Sequence, residues 1–227
     1  MKTILCFGDS NTHGYDASVQ GRFDEFTRWP CLLQQYLGQG FRVIEEGLSG
    51  RTTVIDDPLT EGLNGLRAIT PCLLTHEPVD LLVIMLGTND TKERFGFTAR
   101  NIADGLRRLI IKASQTPAWK TQPAILVVAP PPVDRKYRET DIHAVMGDGC
   151  VEKSEALAEF FHKTALEQGC SFLDAAAIEG VKMSSCDYMH LDREGHGHLA
   201  RKLAEIIPEI CGCRRADGSD HEKLYQC

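Results

Sequence analysis

Apolar residues gather in short continuous runs at residues 3–7, 42–45, 81–86 and 125–129, with a weaker fifth at 171–173. Runs in which apolar and polar positions do not alternate suit strands covered on both faces, as in a parallel sheet. Between the runs the period becomes helical. Residues 29–37 open with Pro30 in the first turn, where a missing N–H costs little. Residues 63–74 read the same way, with Pro71 kinking or ending the helix. Over residues 101–113, Ile102, Leu106, Leu109 and Ile110 share one helix face. Leu157, Phe160 and Phe161 repeat that pattern over 152–166, and Leu203, Ile206 and Ile207 over 199–210. Alternating strands and helices predict a single doubly wound α/β domain over residues 1–211. Right-handed crossovers place every strand-to-helix connection of such a sheet on one edge, where ligands bind.

Two stretches fall outside the pattern. Residues 130–149 form a long connection, and long connections inside compact domains are often functional. Residues 212–227 are polar and poor in apolar positions, which predicts a loosely held tail.

Composition narrows the partners more than the fold. The chain has 227 residues, 42% hydrophobic and 25% charged, ordinary for a globular protein that builds its core without staples. A net charge of −7 argues against nucleic acid or an anionic membrane as partner. The opening MKTILCFGDS is apolar only at residues 4–7, shorter than an export signal needs. No run approaches the roughly 18 apolar residues that cross a bilayer. The segment reads as a buried first strand, and a cytoplasmic location is expected. The nine cysteines are an odd number, and Cys6, Cys31, Cys72 and Cys170 sit in apolar segments, so reduced thiols are expected. Cys211-Gly-Cys213 offers a metal or redox pair, but it lacks both C-x-x-C spacing and a second pair.

Four loop motifs carry candidate chemistry. Gly8-Asp9-Ser10-Asn11 follows the first strand and offers a hydroxyl at the functional edge, though these residue types also favour caps and turns. Gly47-Leu48-Ser49-Gly50 follows the second strand, where glycine lets a backbone N–H be aimed at a ligand. Asn89, after the third strand, offers a side-chain amide of the kind that stabilises an oxyanion. Asp187, three residues before His190, can bind one ring nitrogen and leave the other free to act as a base. Each motif alone also fits a plain turn. His196 and His198 raise a metal cluster, but residues two apart at a helix start do not face each other. Together the four supply a nucleophile, a backbone donor, an amide donor and an oriented base, the inventory for acyl transfer. The chain lacks a G-x-S-x-G elbow, a G-x-x-x-x-G-K-[ST] loop and a G-x-G-x-x-G after a strand.

These blocks, Gly8-Asp9-Ser10, Gly50, Gly87-Thr88-Asn89-Asp90 and Asp187-Tyr188-Met189-His190, resemble those of the SGNH (GDSL) hydrolase family over about residues 1–211. ILCFGDSNT, VIEEGLSGRTT, IDDP, LNG, IMLGTNDTK and VVAPPP look like its bacterial aryl esterase and acyltransferase subgroup. The resemblance implies a flavodoxin-like three-layer α/β/α sandwich with a five-stranded parallel sheet. It implies Ser10 as nucleophile, His190 as base and Asp187 as its orienter. The oxyanion hole would comprise the N–H groups of Ser10 and Gly50 with the Asn89 side chain. It further implies small ester substrates, transfer to alcohols, no cofactor or metal, and a homo-oligomer. Tyr188 stands where the family's last block often has Gly, which would reshape the cleft beside His190, and the 9–29 and 130–149 loops also differ. Rival readings are a carbohydrate or xenobiotic O-deacetylase using the same site, a non-catalytic flavodoxin-like binding module, and an assembly protein with a degenerate site. Leu59, Leu63 and Leu66 could form an oligomer surface or core, and Phe26 and Trp29 an acyl pocket or core.

Overall fold

A computed structural model describes residues 1–215 and 225–226. Five strands form its central sheet: β1 (Lys2–Gly8), β2 (Phe41–Gly47), β3 (Leu81–Met85), β4 (Ile125–Ala129) and β5 (Ser171–Asp174). All neighbours are parallel, and the order across the sheet is β2-β1-β3-β4-β5. That is the flavodoxin-like order, with its reversal between β1 and β3. Ile4 lies opposite Val43 and Leu81, and Gly8 opposite Gly47 and Met85, so three strands end level with one another.

Alternation along each strand divides the core in two. Leu5, Phe7, Leu82, Ile84, Val127 and Ala129 face a layer made of α3 (Gly65–Thr75), α4 (Ala99–Gln115) and α6 (Cys150–Glu167). Ile4, Cys6, Leu81, Val83, Met85 and Val128 face α2 (Trp29–Leu37) and α7 (Arg193–Ile210). The expected three-layer α/β/α sandwich is thus the fold. Trp29, Leu63 and Leu66 belong to or pack on the core, whereas Leu59 and Phe26 are exposed.

Element ends differ from the periodicity for local reasons. Pro71 lies inside α3 without ending it, since proline removes one donor while its fixed φ still suits a helix. Helix α7 begins six residues before Leu199, at Arg193, because the Asp192 side chain accepts from Gly195 N at 2.6 Å and caps a segment rich in Gly and His. The 130–149 connection is folded: a 3₁₀ turn at Arg135–Glu139 leads into α5 (Ile142–Met146), pinned where the buried Tyr137 hydroxyl donates to Gly147 O at 2.7 Å. Most of the tail expected over residues 212–227 lies outside the described residues, although Arg214–Arg215 pairs antiparallel with Tyr225–Gln226. Among the described residues seven cysteines are free thiols, and Cys213 is disulfide-bonded, against the expectation that all are reduced. Among the described residues no helix is long and apolar enough to cross a membrane.

The feature that positions the site is a short helix, α1 (Ser10–His13), set directly on the ends of β1 and β2. A Cβ on Gly47 would overlap the backbone of Thr12 and His13. Overpacking of this kind costs about 1–3 kcal/mol. Gly47→Ala is therefore expected to lower the unfolding free energy by about 1–3 kcal/mol, read from urea denaturation.

Candidate active site

Ser10 is the first residue of α1, and Asp9 is its N-cap, accepting from Asn11 N at 3.0 Å. The capping and functional readings of this motif are therefore both met, on adjacent residues. Asp187 and His190 lie in the loop between β5 and α7, which crosses the same sheet edge. Ser10 Oγ is 2.8 Å from His190 Nε2, and His190 Nδ1 is 2.5 Å from Asp187 Oδ2. A carboxylate can only accept, so Nδ1 carries the proton and Nε2 is left to accept from the Ser10 hydroxyl. All three side chains are largely withdrawn from water.

The Asp187 loop is internally braced. Its Oδ1 accepts from Met189 N and His190 N, both at 3.1 Å. Burial pushes the Asp187 carboxyl upward, but the His190 hydrogen bond and charge, with these two N–H groups, outweigh it and hold the group below its ordinary value. Tyr188 adopts a left-handed backbone, φ 59°, which explains why glycine suits this position. Its side chain packs with Val133, Tyr137 and Met146 rather than lining the cleft beside His190, so the departure from Gly anchors the 130–149 segment instead of reshaping the pocket.

Gly50 and Asn89 complete the ring of strand-exit residues. Gly50 has φ 87°, a conformation that glycine adopts without strain. The Asn89 amide donates to Arg51 O at 3.2 Å and stands 3.5 Å from Asp9 Oδ2, a long contact that leaves one hydrogen weakly held. Behind it, Asp90 accepts from Thr53 N at 3.0 Å and from Thr53 Oγ1 at 2.5 Å, tying the Gly50 loop to the Asn89 turn. Full burial raises Asp9 to about 6, against the opposing pull of the Asn11 N–H and the charges of His190, Arg51 and Lys92. Ser10, Gly50, Asn89 and His190 all line one pocket of about 320 Å³.

The sequence model of the GDSL-like lipase/acylhydrolase family matches residues 6–198. The chain belongs to that family. It is similar to a carbohydrate acetylesterase family member from Sinorhizobium meliloti, at 39% identity over 93% of this chain and 100% of that one, with a TM-score of 0.85. It is also similar to the M. smegmatis aryl esterase, at 36% identity over 92% and 100% of the two chains, TM-score 0.83. A third similar structure is a putative arylesterase from Agrobacterium tumefaciens, at 37% identity over 92% and 100%, TM-score 0.82. No curated protein sequence matches. This GDSL-like hydrolase is accordingly a serine ester hydrolase acting on small-molecule carboxylic esters.

The five residues expected in the hydrolase's site are brought together, and His196 is kept out of it. Burial, reinforced by the positive charges of Arg28 and Arg193, pushes His196 down to about 3, so the ring is neutral. It stands edge-on to Phe23, while His198 packs against Gly180. Two residues that contribute were not singled out from the pattern. The Tyr15 ring lies 4.6 Å from the His190 ring, centroid to centroid. Asn11 bridges the two halves of the site: its Oδ1 accepts from Leu191 N at 2.8 Å and its Nδ2 donates to Met189 O at 3.4 Å. Asn11 is visible in the Gly8–Asn11 motif, but its partners lie 178 and 180 residues away, so spacing gives no sign of them. Removing one partner of a buried pair costs about 1–3 kcal/mol. Asn11→Ala is expected to lower kcat for an aryl acetate at least ten-fold with a smaller change in KM, measured by steady-state kinetics.

Proposed function

We propose that Ser10 is the nucleophile, His190 its general base and Asp187 the group that fixes the His190 tautomer. The observation that carries this reading is the continuous Ser10–His190–Asp187 chain, 2.8 and 2.5 Å long at its two links. His190 takes the Ser10 proton as Oγ attacks the ester carbonyl. The tetrahedral oxyanion is held by the N–H groups of Ser10 and Gly50 and by the weakly held Asn89 hydrogen. Collapse, with the proton returned from His190, expels the alcohol and leaves an acyl-Ser10 ester. Water or a second alcohol then releases the acyl group by the reverse sequence.

The pocket volume of about 320 Å³ supports a short acyl chain or a small aryl ester. One wall is apolar, from Leu63, Ile142, Val145, Met146 and Met189, and this supports an aryl or acyl group packed there. The other wall is polar: Arg94 Nη2 lies 2.6 Å and Lys92 Nζ 3.8 Å from Asp57 Oδ2. That ion cluster supports a second reading, an acetylated sugar whose hydroxyls bond the polar wall, in line with the similar carbohydrate acetylesterase. Exposed Leu59 and Val145 near the pocket mouth support a homo-oligomer, and a monomeric mass by light scattering would remove that reading.

Hydrolysis of p-nitrophenyl acetate and butyrate with a metal chelator present tests the assignment. Wild type is expected to be active and Ser10→Ala inactive. Asn89→Ala should lose roughly 100- to 1000-fold in kcat with little change in KM, the effect of removing one oxyanion donor. Undiminished activity in Ser10→Ala overturns the nucleophile, and near-normal kcat in Asn89→Ala removes that side chain from the oxyanion hole. The ratio of rates on aryl and sugar acetates decides between the two substrate readings.

A further inference from the structure

A second cluster of reactive side chains lies outside the site, between the edge strand β2 and helix α3. Glu46 is near the carboxyl end of β2, Cys72 is in the last turn of α3, and His76 is the residue that caps that helix. One carboxylate oxygen, the Cys72 sulfur and one His76 ring nitrogen all lie within 4.8 Å of one another. Among the described residues this is the only such trio of His, Cys and acidic side chains.

We propose that Glu46, Cys72 and His76 form a binding site for a zinc-class divalent cation. This departs from the absence of metal expected from the sequence. Four observations carry it. Cys72 and His76 are four residues apart, which sets both on one face of the helix end. Glu46 comes from the adjoining strand, and its Oε1 is 2.8 Å from His76 Nε2. Bonds of about 2.0–2.2 Å from a tetrahedral zinc to N and O place two such ligand atoms about 3.3 Å apart, so a small outward shift of His76 seats the ion. The ligand chemistry, one thiolate, one imidazole and one carboxylate, selects a borderline-soft ion such as Zn²⁺ over Ca²⁺ or Mg²⁺.

The surroundings agree. The carboxyl end of α3 presents the negative end of its macrodipole to a cation. The His76 and Glu46 side chains are 20% and 30% exposed, so water can reach the trio and supply a fourth ligand. A thiolate and a carboxylate bring two negative charges that match the ion's two positive ones, and the neighbouring Arg51, which interacts with both, is the cation that competes for them. The cluster is not a second cysteine-hydrolase centre. Burial, then the Glu46 charge, holds the Cys72 thiol up at about 12, whereas a nucleophilic cysteine needs a lowered value. A bound cation displaces that proton directly. Arg51 also connects the trio to the ester site, donating from Nη1 to Glu46 O and, at 2.9 Å, to Gly8 O.

The test is a titration of the chelator-treated full-length protein with Co²⁺ alone. One equivalent is expected to produce a near-ultraviolet thiolate-to-cobalt band with the visible bands of a tetrahedral site, both abolished by Zn²⁺. Cys72→Ser is expected to lose the thiolate band, and His76→Gln to bind Co²⁺ at least about ten-fold more weakly, as loss of one ligand to a metal implies. Cys186→Ser, at an exposed thiol elsewhere, is expected to leave the titration unchanged. Circular dichroism and basal aryl-ester hydrolysis should match wild type in all three, which separates this outcome from misfolding and from any failure of the esterase reading. No thiolate band in wild type, or an undiminished titration in both His76→Gln and Cys72→Ser, overturns the site.

Discussion

The close seating of α1 on the ends of β1 and β2 is the contact on which the rest of the site depends. Only hydrogen fits between the strand ends and the helix at Gly8 and Gly47, so α1 starts immediately above the sheet with no room to tilt. Asp9, as N-cap, sets the start of the helix, and Ser10 therefore has a fixed direction at the carboxyl edge. Asn11 then reaches across to Met189 O and Leu191 N, while Trp29 Nε1 donates to Asn11 O at 3.1 Å. The first and last strand-exit segments are thus joined by one buried side chain, and the main chain of the same residue is held by the α2 layer. Helix position, serine direction and histidine distance follow from a single packing constraint.

Two buried carboxylates beside this helix are driven in opposite directions. Asp187 meets a histidine and two N–H groups, which outweigh its burial and hold it below its ordinary value. Asp9 has one short N–H donor and more distant positive charges, so burial dominates and raises it to about 6. The difference separates their roles. In the proposed mechanism Asp187 keeps its charge beside the imidazolium that would form on His190, whereas Asp9 shapes the turn that carries Ser10 and limits Asn89. The Asp57–Arg94–Lys92 cluster repeats the principle at the pocket wall, where each buried charge has a partner.

The pocket itself is assembled from segments that the strand pattern leaves unassigned. Tyr15 comes from the connection after α1, and Ile142, Val145 and Met146 from the connection after β4. The second was legible as a departure from the strand-and-helix rhythm, and the first only as a loop that differs from the family it resembles. Their contents were not, because a loop is held by contacts such as Tyr137 with Gly147 O and Tyr188 against the cluster of Val133, Tyr137 and Met146 that carry no period. The metal-class trio was invisible for the same reason. Cys72 and His76 have helical spacing in the sequence, but Glu46 joins them only because β2 pairs beside β1 and α3 packs back toward that edge.

The sequence by itself determined the five strands, the five long helices, the doubly wound class and the four strand-exit motifs. Hydrophobic period and glycine or asparagine turn chemistry are local properties, and crossover handedness then forces all the exits onto one edge. It also determined that Ser10, Gly50, Asn89, Asp187 and His190 belong to that edge. Tertiary structure alone decided which of them touch. The 2.8 Å approach of Ser10 to His190 spans 180 residues of chain and is braced by the Asn11 bridge to Met189 O and Leu191 N. It also decided the fate of His196, which the sequence raised only as part of a metal cluster: desolvation makes it a neutral core residue six positions from His190.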